Sequence, residues 1–202
     1  MVTIPEARPH HGKERERQVR ALFSAIAPRY DLLNHVLSLN RDRWWRRMAV
    51  DGLGTLGGDP SARVLDACAG TLDLSLELAD RASFQGRIVA LDFARPMLVE
   101  GARKLDGRGV RLVCGDGLAL PFPSGTFDGA MVAFGVRNLS DPDAGLRELA
   151  RVLRPGGRLV VLEFATPPGR LIQAFYLLYF RHVLPVVGRI ISGHRWAYTY
   201  LP

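Results

Sequence analysis

The sequence predicts an α/β domain: a mostly parallel sheet with helices on both faces. Three observations predict it. Residues 63–92 read as strand, small-residue turn, helix, strand and terminal acid. Residues 110–114, 127–133 and 158–164 are further apolar runs, near-continuous as strands buried on both faces must be. Between the runs lie helical segments. Residues 95–105 carry Pro96 near the first turn, and the segment opened by Asp141-Pro142 places Leu146, Leu149 and Leu153 on one face. Strands alternating with helices give a parallel sheet.

The 63–92 unit indicates the ligand class. Its turn, Cys68-Ala69-Gly70-Thr71, is made of small residues that let a ligand approach the backbone. Asp92, at the tip of the second strand, is placed to accept hydrogen bonds from two ribose hydroxyls. A dinucleotide needs Gly-x-Gly-x-x-Gly to seat its pyrophosphate on a helix N-terminus. Here the turn holds one glycine, and Asp73 behind it would repel a phosphate. S-adenosylmethionine has no phosphate, and its ammonium suits an acid such as Asp66. The charge balance therefore favours a methyltransferase over a dehydrogenase, with an ordinary α/β core as the plain alternative. Asp116, beside Gly117 at the end of the third strand, is placed to meet the adenine amino group; otherwise it stabilises its own turn.

Composition bounds the rest. The chain has 202 residues, 48% hydrophobic and 23% charged, enough for one well-buried domain. Net charge is +7, from 27 Lys and Arg against 20 Asp and Glu. Such a surface attracts nucleic acid or anionic lipid, although a high arginine share is equally explained by genomic bias. Nothing requires nucleic acid, and no metal-binding cluster is evident. Cys68 and Cys114, both expected in the core, imply no disulfide framework and fit a reducing cytoplasm. The N-terminal residues have no signal-peptide pattern.

Taken in order, residues 1–16 read as a flexible tail and 17–60 as a helical cap over the substrate pocket. A helix is expected over 17–27, with Val19, Leu22, Phe23 and Ile26 on one face and Pro28 ending it. Tyr30, Asp31 and Asn34 are polar residues among apolar ones and are expected to bind substrate. A plain helix pair packed on the sheet explains the Leu and Trp residues but not this trio. Residues 61–168 form the cofactor-binding α/β core. Residues 169–202 are expected to form an apolar lid or membrane-facing segment. Residues 171–191 are long enough to span a bilayer, but Arg181, His182, Pro185 and Arg189 argue against it. A buried helix pair is the equal alternative.

From Phe23 to its last residue the chain resembles the ubiquinone/menaquinone biosynthesis C-methyltransferases. The resemblance rests on Tyr30-Asp31 with Asn34, Val64-Leu65-Asp66 with Gly70-Thr71 and Asp73, Leu91-Asp92-Phe93, Gly115-Asp116, and Tyr198-Thr199-Tyr200-Leu201-Pro202. Its most specific part is Ala133-Phe134-Gly135-Val136-Arg137-Asn138-Leu139. It implies a class I S-adenosylmethionine-dependent methyltransferase, Rossmann-like, that methylates a ring carbon of a polyprenylated quinol. By resemblance Thr71, Asp92, Asp116 and Gly117 contact S-adenosylmethionine, with Asp66 and Gly70 shaping the pocket and Ala133 counted with them. Arg137 and Asn138 would face the quinol ring as catalytic residues. A permanently charged arginine is no base, so Arg137 would stabilise the phenolate or orient a water, and Asn138 would fix the ring. The implied setting is the cytoplasm, with peripheral contact on the inner face of the membrane; a homodimer is left open. The alternatives are a methyltransferase for another small molecule, or a shortened, non-catalytic binding protein.

Two departures from the family pattern set further expectations. Leu72 stands where the family has a second glycine, and because leucine resists positive φ the turn is expected to differ locally. The chain stops at Pro202, before the family's last helix and strands, so the C-terminal strands are expected to be missing and the fifth strand to form an edge.

Overall fold

Five apolar runs become five strands: β1 (Arg63–Ala67), β2 (Arg87–Asp92), β3 (Val110–Cys114), β4 (Phe127–Ala133) and β5 (Leu153–Leu162). They pair in parallel in the order β3-β2-β1-β4-β5. The computed structural model describes residues 13–54, 56, 59–165 and 169. β1 is buried at every position after Arg63 and β4 at every position before Ala133, as the apolar runs require.

The pleat sends alternate side chains to opposite faces. On one face, Leu65, Leu91, Ala130 and Val132 pack with Leu149 and Val152 of α6 (Pro142–Val152). On the other, Val64, Ile88 and Met131 pack with Ala49 and Val50 of α3 (Arg41–Asp51) and with Leu74 and Leu78 of α4 (Asp73–Ala79). α5 (Arg95–Ala102) sets Leu98 against Ala90 and Leu72. The layered α/β architecture is the expected one.

The cap comprises α1 (Lys13–Ile26), a 3₁₀ turn (Ala27–Arg29), α2 (Tyr30–Leu37) and α3. α1 begins ahead of Arg17, where the tail was expected to end, and Pro28 sits in the turn that stops it. Arg20 anchors α1 to the core: its Nε and Nη2 donate to the Phe93 carbonyl at 2.9 and 2.6 Å.

Three local expectations are corrected. Leu72 does take the left-handed conformation that leucine was expected to resist, with φ 71°, at the N-cap of α4. That conformation costs leucine about 1–2 kcal/mol. Complete burial against Ala90 and Leu98 offsets it, at about 1.5–3 kcal/mol for a leucine side chain. β5 starts at Leu153, earlier than expected, because Leu153 pairs with Phe127 before a register shift carries the strand to the Gly129–Arg158 pair. Pro155-Gly156-Gly157 lies within that irregularity, Gly156 at φ 79°. Cys114 is exposed, since β3 is an edge strand; Cys68 is half-buried, and both are free.

Among the described residues β3 and β5 are the sheet edges, and no helix is long and apolar enough to cross a membrane. The expected lid at 171–191, including His182, and the question of missing C-terminal strands lie outside the described residues. The chain leaves β1 for β2 on one side and has β4 on the other, so a crevice opens beyond the carboxyl ends of β1 and β4.

Candidate active site

A cleft fills that crevice. Its main chamber encloses about 690 Å³ and is lined by Tyr30, Cys68, Gly70, Asp92, Asp116, Gly117, Ala133, Phe134 and Asn138, among others. A smaller chamber of about 350 Å³ shares Tyr30, Cys68, Gly70, Ala133 and Phe134, and adds Arg46, Asp66, Thr71 and Asp73.

The β1–α4 turn forms one wall. Gly70 sits at φ 54°, and its N–H donates to Asp92 Oδ2 at 2.8 Å. The Ala94 N–H donates to Asp92 Oδ1 at 2.8 Å, so two backbone donors aim the carboxylate. Asp66 is buried at the end of β1 and accepts from Ser75 Oγ of α4 at 2.6 Å. Asp116 lines the cleft and also accepts the Leu118 N–H at 2.9 Å. The opposite wall follows β4. Phe134 takes φ 55°, and Gly135 packs so closely that a Cβ there would lie 2.4 Å from Cys68 Cβ. Phe134 stacks on Phe164 with ring centroids 4.6 Å apart, and Trp45 meets both edge-on.

The electrostatics are those of a dry, acid-lined floor. Burial pushes the Asp66 carboxyl up to about 7 against the Ser75 hydrogen bonds, which pull it down. Asp92 is also raised by burial, partly offset by the Ala94 and Gly70 N–H groups. The Cys68 thiol is raised by burial and by the carboxylates of Asp92, Asp66, Asp116 and Glu163, so it stays protonated and is no nucleophile. Tyr30 is raised by burial, partly offset by its hydrogen bond with Asn34 and by Arg46 and Arg137.

A chain of charges joins this floor to the cap. Thr71 Oγ1 donates to Asp31 Oδ1 at 2.5 Å, and Lys104 Nζ bridges Asp31 Oδ2 and Asp73 Oδ1 at 2.7 and 2.5 Å. Arg46 Nη2 lies 3.1 Å from Asp73 Oδ2, and its Nη1 binds the buried Asp42. Asp42 also takes His35 Nδ1 at 2.7 Å and Ser38 Oγ at 2.6 Å.

Most of the residues singled out from sequence meet here. Tyr30, Gly70, Asp92, Asp116, Gly117, Ala133 and Asn138 line the main chamber, and Asp66 and Thr71 the smaller one. Three stand elsewhere. Asp31 binds Thr71 and Lys104 and lines neither chamber, so its geometry is that of a tie between cap and turn rather than of a substrate contact. Asn34 reaches the cleft through Tyr30. Arg137 lines neither chamber; it lies 3.6 Å from Glu163 Oε1 and 5.0 Å from the Phe164 ring centroid, and its charge is felt at the Tyr30 hydroxyl. Sequence reasoning missed Arg46, the buried cation of the smaller chamber. The signal was faint: an arginine one turn after Asp42, in a helix that also exposes Arg43 and Arg47.

The family model described as the ubiE/COQ5 methyltransferase family matches residues 11–202. The chain belongs to that family. It is 52% identical over 90% of its length to a demethylmenaquinone methyltransferase of Thermus thermophilus, 81% of which is covered. It is 44% identical over 94% of its length to a ubiquinone/menaquinone biosynthesis C-methyltransferase UbiE of Geobacter sulfurreducens, 74% of which is covered. Among solved structures, a SAM-dependent methyltransferase of Thermotoga maritima superposes with a TM-score of 0.59 at 20% identity, over 82% of this chain and 70% of that one. That likeness shows the class I, Rossmann-like methyltransferase fold.

Proposed function

We propose that the cleft binds S-adenosylmethionine and that the enzyme methylates a ring carbon of a polyprenylated quinol, demethylmenaquinol or its ubiquinone-pathway equivalent. The observation that carries this reading is the make-up of the floor. Three carboxylates, Asp66, Asp92 and Asp116, converge on one cleft whose wall is a single-glycine turn. That field suits a cation with ribose hydroxyls and rejects a pyrophosphate. The names of the two relatives support the quinol.

S-adenosylmethionine supplies a methyl group on a positively charged sulfur, to be taken by a nucleophilic ring carbon. The chain's own residues do the rest. Asp92, held by two backbone N–H groups, receives the ribose hydroxyls. Asp116 and Gly117 border the adenine, and Gly70 and Ala133 let the ligand lie close to the backbone. The smaller chamber is lined by Arg46, Asp66 and Asp73; Asp73 is paired with Lys104 and Arg46, which leaves Asp66 as the acid for the ammonium of the amino-acid end and Arg46 as the cation nearest its carboxylate. Thr71 borders the same chamber while tied to Asp31.

On the substrate side, Tyr30 and Asn138 line the main chamber. Asn138 Nδ2 donates to the Phe134 carbonyl at 3.1 Å, which fixes the amide that orients the ring. Arg137 acts as the electrostatic partner of the ring oxygen, whose loss of a proton makes the neighbouring carbon nucleophilic. Its positive charge is felt at the Tyr30 hydroxyl, on the wall of the main chamber. Holding ring carbon and methyl in line supplies the remaining rate.

The test is transfer of label from S-adenosylmethionine to reduced demethylmenaquinone in detergent, with the Arg137→Ala variant alongside. Labelled menaquinol, falling by about a hundredfold or more in the variant with cofactor affinity retained, is expected. Cofactor binding with no transfer to any quinol would mean another substrate.

A further inference from the structure

We infer that the outer face of α2 and α3 is a docking surface for an anionic lipid bilayer. Among the described residues, the exposed large hydrophobic side chains concentrate in one short stretch. Leu39 is 78% exposed, Leu32 and Trp44 55%, Met48 53% and Val36 40%, five of the eight such residues. They follow helical geometry. Leu32 and Val36 lie one turn apart on α2, Trp44 and Met48 one turn apart on α3, and Leu39 stands in the turn between. The inward faces hold Leu33, Ala49 and Val50 together with the cluster in which His35 and Ser38 meet Asp42.

From Arg29 to Met48 the exposed charges are of one sign. Arg29, Arg41, Arg43 and Arg47 are exposed. The two acids are withdrawn: Asp42 is buried under Arg46, and Asp31 is bound by Thr71 and Lys104. Exposed Trp, Leu and Met among arginines, with the one exposed acid, Asp51, at the far end of α3 and paired with Arg81, is a composition that enters the boundary between headgroups and acyl chains. Nucleic acid would take the arginines but leave the leucines and Trp44 in water.

The face also stands where lipid access is useful. α2 presents Tyr30 to the main chamber while Leu32 and Val36 face outward, and Trp45 of α3 packs on Phe134 of the cleft wall. A bilayer seated on this face would lie beside the cleft. The use of that placement, delivery of a ring whose tail stays in lipid, rests on the quinol reading; the surface itself does not.

The test is co-sedimentation of the full chain with vesicles of phosphatidylcholine alone, or with a minority of phosphatidylglycerol, at low and high salt. The variants are Trp44→Ser/Met48→Ser and Arg41→Glu/Arg43→Glu, each checked for S-adenosylhomocysteine binding to show that it is folded. Anionic vesicles should bind wild type at least about tenfold more than neutral ones at low salt. Each double variant should lose at least about tenfold while its methylation of a tail-less, water-soluble quinol stays within about twofold. Vesicle binding unchanged in both variants overturns the inference. So does a wild-type dimer that Trp44→Ser/Met48→Ser dissociates, with no vesicle binding, since the face would then join two copies. Equal affinity for duplex DNA, lost only in the arginine variant, overturns it as well. If vesicles bind as expected but no quinol is methylated, the substrate reading fails and the surface stands.

Discussion

On the floor of the cleft, Asp66 and Asp92 are held by uncharged groups: a serine hydroxyl of α4 and two backbone N–H groups. In the cap, Asp42 and Asp31 are held by side-chain cations and hydroxyls, several reaching across elements: Arg46, His35, Lys104 and Thr71. The two regions answer burial in opposite ways. Asp66 and Asp92 are raised, because neutral or backbone donors do not fully compensate desolvation. Asp42 is lowered although burial pushes it up, because Ser38, Arg46 and His35 together outweigh that push. A floor left short of positive charge is prepared for a cationic ligand. A cap already paired is prepared to stay closed.

The cap's dependence on pairing should give the largest effect. Arg46→Met strands the buried Asp42 and should destabilise the protein by roughly 3–5 kcal/mol in urea denaturation. Removing both partners, Asp42→Leu with Arg46→Met, should restore most of that loss, since no buried charge is then left alone. Equal losses in the single and double variants would show that the pair does not hold the cap.

The floor predicts a pH dependence. The folded Asp66 carboxyl titrates near 7, above the usual carboxylate value near ~4 of an unfolded chain. The folded state therefore binds more protons between those values, and stability should fall as pH rises from about 4 to about 7, by roughly 2–4 kcal/mol. Asp66→Asn should flatten that slope when denaturation is compared at several pH values between about 4 and about 7. An unchanged slope would mean that the floor acid is better compensated than its surroundings indicate. Cofactor affinity should rise over the same range, because a ligand ammonium favours ionised Asp66.

Asp92→Ala removes the acceptor proposed for the ribose and the brace of the Gly70 turn. S-adenosylhomocysteine affinity by calorimetry should fall by about thirtyfold to a hundredfold, as expected for one or two charged hydrogen bonds. An affinity within threefold of wild type would remove Asp92 from the cofactor site. The smallest effect is at the turn. Leu72→Gly relieves left-handed strain of about 1–2 kcal/mol but deletes a fully buried leucine, whose loss with its cavity costs about 2–5 kcal/mol. The net should be a destabilisation of roughly 1–2 kcal/mol. A stabilised variant would show that strain, not packing, dominates at this position.

Much of the floor was legible from the chain alone. Apolar runs alternating with helical segments specify a parallel sheet, because strands buried on both faces must be apolar throughout. Acids and small residues at strand ends then mark the ligand edge, and Asp66, Gly70, Asp92, Asp116 and Gly117 all line the cleft. What the sequence could not supply was partner choice. Nothing in local pattern separates Arg46, buried between Asp42 and Asp73, from the exposed Arg43 and Arg47 of the same helix. Nor does it turn Asp31 from substrate toward Lys104, which lies 73 residues further along the chain. Leu72 shows the same limit: its intrinsic φ preference argued against the turn, and burial against Ala90 and Leu98 overruled it. The sequence by itself determined the strands, the ligand edge and the chemistry of the floor, since those follow from periodicity and residue type. The tertiary structure alone decided which charges meet, because ion pairs form between side chains that only folding brings together.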